Sequence, residues 1–221
     1  MTSPPAPHGA RLHRPRATRT RILEAARQVL GQDPDSSLGA IAEAAGVARR
    51  TVYGHFAGRA ALIEGLTADA AEAVRLAIAT TRTPQPHPDP ATALAHFVLT
   101  LWPVGDRYRT LIRLAPQDLG TQRVSALLAP ARDTVAAILA RGQRQGVFHT
   151  SVPPGPLSRA LEALLLALLD SVNSGIWADD GTSAATAALI AVGVDRGVAA
   201  STVRRLARHT VRHAPHLQRL R

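Results

Sequence analysis

Two arginines and a threonine, Arg49, Arg50 and Thr51, follow one another at the predicted start of a short helix. A guanidinium group can donate two parallel hydrogen bonds to a guanine edge or to a phosphate. Such side chains at the leading end of a helix are typical of a surface that contacts nucleic acid. The alternative is that they are ordinary solvated residues, because all 26 basic residues are arginine and a GC-rich genome accounts for that bias. We favour DNA contact for the two arginines and leave Thr51 open between a contact and a passive helix surface.

The hydrophobic pattern around these residues predicts two short helices joined by a tight turn, behind a first helix that begins near Thr18. The second helix follows Ser37 and ends at Gly46, since glycine accepts the left-handed conformation that this turn needs. The third helix begins after Val47 and runs through Tyr53. This arrangement is that of a helix-turn-helix. The apolar residues expected to set the angle between its two helices are Leu38, Ile41, Ala42, Val47 and Val52.

The rest of the chain also follows a helical period, and no segment alternates as a strand would. A fourth helix is predicted from about Gly58 to Thr81, and the four alternating prolines of residues 84–90 favour an extended linker. Aromatic residues make up 3% of the chain, so the core must consist mainly of aliphatic side chains. The sequence therefore predicts an all-α fold. The later helices are expected at 91–102, 107–115, 121–145, 156–178, 183–193 and 197–213.

The positive charge is concentrated at the two ends of the chain. Residues 1–59 carry nine arginines against four acids, and residues 196–221 carry seven against none. A basic balance of this kind favours a polyanionic partner, either nucleic acid or an anionic membrane surface. The first 17 residues lack the apolar segment of a signal peptide, and the run Leu161–Leu169 is too short to span a bilayer. We therefore expect a cytoplasmic protein that does not enter a membrane.

Two other classes of protein compete with a DNA-binding regulator. An enzyme is disfavoured because the chain contains no HExxH pair, no GxSxG elbow and no phosphate-binding glycine loop. It contains no cysteine, which excludes disulfides and thiolate metal sites, and the spacing of His209, His213 and His216 fits a solvated face as well as a metal site. A membrane-surface or partner-binding helical module is supported only by the basic C-terminal segment. We predict no catalytic residue, no metal and no cofactor.

Three segments resemble the TetR family of bacterial repressors. Arg21–Ala26 (RILEAA) is similar to the family's first helix, and Ile41–Val47 (IAEAAGV) to its second helix and turn. Thr51–Phe56 (TVYGHF) is similar to the end of its recognition helix. The resemblance is specific over about residues 21–66 and implies a DNA-binding domain there.

The resemblance also implies roles for four residues. It places Tyr53 and His55 against the DNA backbone, with simple packing as the alternative, and Phe56 in the core. Arg59 stands where the family usually has a phosphate-binding lysine. Three positions depart from the family pattern: Ala48 and Gly58 replace frequent helix caps, and Ala60 replaces a frequent acidic residue. The missing cap at Ala48 weakens the third helix by about 1 kcal/mol.

For the later helices, the resemblance implies a pocket for a small molecule and a surface for a second subunit. Rare aromatic residues and a histidine are the pocket candidates, with ordinary core positions as the alternative. They are His96, Phe97, Trp102, Tyr108, Phe148 and Trp177. A leucine-rich helix near 156–178, apolar nearly all round, is the expected dimerisation helix, with the central helix of a monomer as the alternative. The final helix could join it or lie on an anionic surface. The residues expected at the dimer interface are Leu161, Leu165, Leu168, Val172, Val203 and Leu206.

The predicted function is a ligand-responsive transcriptional regulator, most simply a repressor. It is expected to bind a palindromic double-stranded operator as a homodimer and to leave it when a small-molecule effector binds. The predicted parts are a disordered basic arm (1–17), a helix-turn-helix domain (18–66, its fourth helix continuing to about 81), a linker (84–90), an effector and dimerisation domain (91–213) and a tail (214–221). The alternative for the arm is that it follows DNA, as the arginines at 11, 14, 16, 19 and 21 allow.

Overall fold

The computed structural model describes residues 10–81 and 89–212, with side chains for 16–81 and 89–208. Over these ranges the chain forms ten α-helices and no strand, which confirms the predicted all-α fold. The helices are α1 (Ala10–Gln32), α2 (Leu38–Ala44), α3 (Arg49–His55), α4 (Arg59–Thr81), α5 (Pro90–Arg107), α6 (Arg109–Leu119), α7 (Thr121–Arg144), α8 (Pro154–Asn173), α9 (Thr182–Ala191) and α10 (Arg196–Arg212). No helix among the described residues is long and apolar enough to cross a bilayer.

The helices group into two compact units. The first comprises the chain up to Asp69 together with Thr110–Val124, and the second comprises Ala70–Arg109 and the chain from Ser125 onward. The boundary falls inside α4, so this helix contributes residues to both units. The predicted effector domain of 91–213 includes residues 110–124, whereas in the folded chain that segment groups with α1–α3 and the start of α4.

The first unit is built on the amphipathic faces of short helices. Ile22 and Leu30 of α1, Ile41 of α2, Val52 of α3 and Leu62 of α4 are each fully or almost fully buried. Side chains of this size gain about 1.5–3 kcal/mol each from burial, which is how helices of two turns become stable. The core of this unit therefore holds α2 and α3 at a defined angle.

The second unit has a core of aliphatic residues with few aromatic ones. Helix α5 packs against α9 and α10, and α9 packs against α8 and α10. Alanines of α9 such as Ala185 and Ala188 are completely buried, and side chains this small allow neighbouring helices to pack closely. This small-residue packing agrees with the aliphatic core expected from composition.

Four helices, α1, α5, α6 and α8, have ends that differ clearly from the predicted boundaries. Helix α1 begins at Ala10, so residues 10–17 of the segment expected to be a disordered arm lie within this helix. Residues 1–9 lie outside the described part. Helices α5 and α6 continue through Pro103 and Pro116, at which the sequence predicts breaks. A proline inside a helix costs about 3 kcal/mol, and burial of neighbouring residues such as Trp102 and Leu114 offsets it.

Helix α8 ends at Asn173, before the predicted end at residue 178. Gly175 has a φ of 69°, and the amide of Ile176 donates to the carbonyl of Ser171 over 3.1 Å. This is a glycine-terminated helix end, in which a left-handed residue returns the chain toward the last turn. Ile176, which lies inside the predicted range of this helix, is instead 80% exposed beyond its end.

Candidate DNA-binding face and ligand cavity

The turn between α2 and α3 is held by backbone hydrogen bonds that the local sequence allows. Ser37 caps α2, its hydroxyl accepting from the amide of Ala40 over 3.2 Å. Gly46 has a φ of 61°, and the next amide, of Val47, donates to the carbonyl of Ala42 over 3.0 Å. The side chain of Ala48 makes no cap hydrogen bond to α3, as expected from its methyl group.

The recognition helix α3 has a clear inward and outward side. Val52 is fully buried and Phe56, which follows the helix, is 3% exposed, so these two residues anchor it. Arg49, Arg50 and Tyr53 are exposed. Thr51 and His55 are partly buried on the flank of the helix. The six residues predicted for DNA contact therefore include five on α3, of which three offer their side chains to solvent.

The sixth, Arg59, is already engaged within the first unit. Its guanidinium donates to the carbonyl of Pro34 over 2.8 Å, and its Nε lies 3.7 Å from the carboxylate of Asp118 on α6. The side chain keeps 36% of its surface exposed. Sequence patterns could not reveal these partners because they lie in distant parts of the chain. Arg59 therefore holds the start of α4 against the loop before α2 and against α6.

Arg19 of α1, one of the arginines for which the sequence allows DNA contact, packs against a residue that anchors α3. Its guanidinium lies 5.2 Å from the centre of the Phe56 ring, a cation–π contact. The backbone of Gly65 also lies close to it, since a Cβ added there would be 3.1 Å from the Arg19 guanidinium. The contact of Arg19 with Phe56 depends on tertiary packing, so the spacing of the arginines in the sequence did not predict it.

A cavity of about 700 Å³ lies in the second unit, between the C-terminal ends of α5 and α8 and the loop before α9. It is lined by Trp102, Pro103, Asp106, Val172, Gly175, Ile176, Trp177, Ala178, Asp179 and Asp180. Two of the six predicted pocket residues, Trp102 and Trp177, are among them. The cavity therefore combines two indole rings with three carboxylates.

The other four predicted pocket residues lie elsewhere. Phe97, Tyr108 and Phe148 are buried and do not line this cavity, and His96 is partly buried on α5. Phe97 and Phe148 belong to the hydrophobic core of the second unit, which is the alternative role that their sequence context allowed. Aromatic residues alone were thus a poor guide, because a ring packs into an aliphatic core as readily as into a ligand site.

The carboxylates of the cavity are positioned by the start of α9. Asp179 accepts hydrogen bonds from the amides of Ser183 and Ala184, each over 3.0 Å, and its carbonyl accepts from the Trp102 indole over 3.3 Å. Hydrogen bonds from the hydroxyl and amide of Thr182 lower the pKa of Asp180. Sequence reasoning missed these acids, although an Asp-Asp-Gly-Thr run before a helix is a recognisable capping signal.

The predicted dimer residues divide into two groups. Leu161 and Val203 are 3% and 1% exposed within a single chain, so they have no surface left for a partner. This corrects their assignment: they belong to the core of the second unit. Leu165, Leu168, Val172 and Leu206 are only partly buried. On α8 the exposed apolar positions are Ala160, Ala163 and Ala167, on the side away from Leu161.

Among the residues whose side chains are described, no group of three or more histidine, aspartate or glutamate residues is arranged to hold a metal ion.

The comparisons with known proteins agree with this arrangement. Residues 22–66 match the family described as bacterial regulatory proteins of the tetR family. The chain is 29% identical over 180 residues to the HTH-type transcriptional repressor LfrR of Mycolicibacterium smegmatis, covering 80% of this chain and 88% of that protein.

Solved structures extend the likeness beyond the matched segment. The crystal structure of the TetR-like regulator LfrR from Mycobacterium smegmatis in complex with proflavine has a TM-score of 0.63 at 25% identity, over 83% of this chain and 96% of that one. The TetR family regulator PfmR from Thermus thermophilus has the same fold, with a TM-score of 0.62 at 20% identity, over 80% of this chain and 96% of that one. The helix-turn-helix segment of this chain, residues 22–66, thus matches the tetR family of bacterial regulatory proteins, and the all-α fold resembles that of solved TetR-like regulators.

Proposed function

We propose that this chain is a repressor that binds an inverted-repeat operator as a homodimer. The observation that carries the proposal is the polarity of α3: Val52 and Phe56 are buried beneath it, while Arg49, Arg50 and Tyr53 are exposed. A helix anchored on one side and arginine-rich on the other suits insertion into the major groove. Two such helices, about 34 Å apart or somewhat more in a dimer, would match half-sites one turn apart.

The test of this proposal is selection of bound genomic fragments by the purified chain, followed by mobility shifts on the recovered sequence. We expect an inverted repeat, bound at nanomolar concentration and more weakly as salt rises. Arg50→Ala is expected to cost about 1–3 kcal/mol of operator binding and to relax the preference at one base pair. Recovery of no common sequence, with equal binding to every duplex, would refute the proposal.

The dimer is proposed to form through the outward side of α8. Its exposed alanines, Ala160, Ala163 and Ala167, would allow the α8 helices of two subunits to approach closely. The partly exposed leucines beside them, Leu164 and Leu166, would add apolar area. The likeness to TetR-family regulators supports a second subunit, and the exposure of these alanines supports this side of α8 as its docking surface.

We also propose that the cavity between α5, α8 and α9 receives the effector, and that the effector is an aromatic cation. The indoles of Trp102 and Trp177 offer stacking surfaces, and the carboxylates of Asp106, Asp179 and Asp180 offer negative charge. A cation between indole rings and carboxylates is favoured by both its charge and its π-face. Asp106 lies 3.6 Å from Arg109, which offsets part of this charge. The proflavine-bound structure of the relative LfrR supports an effector of this class.

The effector proposal is tested by titrating the protein with proflavine, a planar aromatic cation, and following tryptophan fluorescence and operator release together. We expect quenching and release at the same concentrations, and a several-fold weaker response for Trp177→Leu and for Asp106→Asn. A neutral tricyclic compound of similar size is the control. Equal responses to the neutral and cationic compounds would exclude the charge-based assignment. Release requires the ligand to prefer one conformation, and a coupling of about 1–3 kcal/mol is typical.

A further inference from the structure

The two adjacent arginines of α3 have different surroundings, and Gly39 of α2 is the cause. The guanidinium of Arg49 lies against the backbone of Gly39. A Cβ built on Gly39 would come within 2.6 Å of Nε and 2.7 Å of Cζ of Arg49, and closer still to one of its Nη atoms. Only a glycine leaves room for this side chain at that position of α2.

Arg50 occupies a different side of the same helix. Successive residues of an α-helix are turned by about 100° from each other, so Arg50 points away from the α2 side on which Arg49 lies. Arg50 and Tyr53 are both exposed, whereas Val52, on the inner side of α3, and Phe56, just after the helix, are buried. The two arginines therefore start from one helix end but present their guanidinium groups to different places.

We propose that Arg49 contacts a DNA phosphate, that Arg50 reads a base, and that Gly39 is the residue that positions Arg49. In a helix-turn-helix the second helix enters the major groove, while the first helix crosses the sugar-phosphate backbone. The guanidinium of Arg49 packs against α2, the helix expected to cross the sugar-phosphate backbone of the DNA. The guanidinium of Arg50, on the side of α3 expected to face the major groove, can reach base edges. This inference rests on the proposed operator binding, and it assigns different roles to the two arginines.

The geometry also makes Gly39→Ala a usable probe. The atoms that a methyl group would meet are at the far end of a flexible side chain, so Arg49 can move away without disturbing the helix. Alanine also favours a helix more than glycine does. We therefore expect the Gly39→Ala variant to fold and to have a melting temperature no lower than that of the wild type. Its Arg49 side chain is expected to lose the contact with the backbone of residue 39.

The experiment measures binding of Gly39→Ala, Arg49→Ala, the double variant and Arg50→Ala to the operator and to an unrelated duplex, at several salt concentrations. Arg49→Ala is expected to weaken binding to both duplexes equally, by about tenfold, and to reduce the slope of log K against log salt by about 0.9. Gly39→Ala is also expected to weaken binding to the operator and to the unrelated duplex alike. The double variant is expected to bind each duplex with the same affinity as Arg49→Ala alone. Arg50→Ala is expected to lose operator preference instead.

Gly31→Ala is the matched control, since it adds the same methyl group to a helix of the same unit in ordinary contact, 3.4 Å from Thr110. It should bind both duplexes like the wild type. A change of base preference in Arg49→Ala, or additive losses in the double variant, would overturn this assignment while leaving operator binding intact. A wild-type protein that binds the two duplexes equally would overturn the proposed function and this inference with it.

Discussion

Arg59 shows how one side chain can serve two purposes in this molecule. Its hydrogen bond to the Pro34 carbonyl and its approach to Asp118 tie the start of α4 to the loop before α2 and to α6. The same guanidinium remains partly exposed, so a phosphate could still reach it. A DNA phosphate at Arg59 would compete with the Asp118 carboxylate for the positive charge, so we expect this aspartate to lower DNA affinity.

Asp118→Asn is expected to raise affinity for any duplex about two- to threefold at low salt, because Arg59 is then released from a neighbouring negative charge. Arg59→Ala should lower affinity for all sequences alike and reduce the salt dependence, in addition to losing the hydrogen bond to Pro34. Mobility shifts at two salt concentrations measure the duplex affinity of each variant and its salt dependence. If Asp118→Asn left binding unchanged while Arg59→Ala weakened it, the competition between carboxylate and phosphate would be excluded.

Asp180 gives the start of α9 a pH dependence of definite sign. Because hydrogen bonds from Thr182 lower its pKa in the folded state, the stabilisation that its charge provides is present above the unfolded pKa and lost as pH falls through the folded value. Asp180→Asn is expected to reduce unfolding free energy at pH 7 by about 0.5 kcal/mol, a small effect because the carboxyl is largely exposed.

Urea denaturation at pH 7 and at successively more acidic pH values measures this difference, which should shrink as the wild-type carboxyl is protonated. Thr182→Val removes the hydroxyl that donates to Asp180 over 2.7 Å, and NMR titration should then find the Asp180 pKa closer to its ordinary value. An Asp180→Asn difference that grew on acidification would contradict the expected sign.

At the scale of the helix, the end of α7 shows why Phe148 is a core residue. Gly146 turns the chain with a φ of 70°, and the amides of Val147 and Phe148 both donate to the carbonyl of Gly142. This return places the Phe148 ring directly on the backbone of Gly142, where a Cβ would come within 2.9 Å of the ring Cγ and closer to two other ring atoms. The ring therefore closes the end of α7 and has no room for a ligand.

Gly142→Ala is expected to destabilise the protein by about 1–3 kcal/mol, because a buried ring must move to accept the methyl group. Gly155→Ala on α8 is the matched control: its Cβ would meet nothing within 4 Å, and alanine there should be neutral or stabilising by about 0.4–1 kcal/mol. Denaturation midpoints of the two variants measure the contrast. Equal stability of both variants would show that the Phe148 ring is not confined as described.

At the scale of the whole molecule, the question is which side of α8 meets a second subunit. Leucines occur all round this helix, so hydrophobic periodicity could not distinguish its inner from its outer side. In the folded chain Leu161 is buried in the core of the second unit, whereas Ala160, Ala163 and Ala167 remain exposed. The proposed interface therefore lies on the alanine side of α8.

Ala167→Arg is expected to convert the dimer to monomers and to weaken operator binding at least tenfold, since each half-site is then bound independently. Ala137→Arg places the same change at an exposed position of α7 and should leave both properties unaltered. Analytical ultracentrifugation gives the mass of each variant, and mobility shifts give its affinity. A dimer that survived Ala167→Arg would move the interface to another surface.

The helical fold, the position of the helix-turn-helix and the exposure of its leading arginines followed from local patterns. Apolar residues at helical spacing and a glycine at the turn are short-range signals, readable along roughly 30 residues of chain. Other features could be seen only in the folded chain. They are the continuation of α5 through Pro103, the contacts of Arg59 with Pro34 and Asp118, the contact of Arg49 with the Gly39 backbone, and the carboxylates that line the cavity with Trp102. These features depend on contacts between residues far apart in sequence. The packing energy of such contacts outweighs local helix propensity, and the contacts do not appear as a hydrophobic period in the sequence.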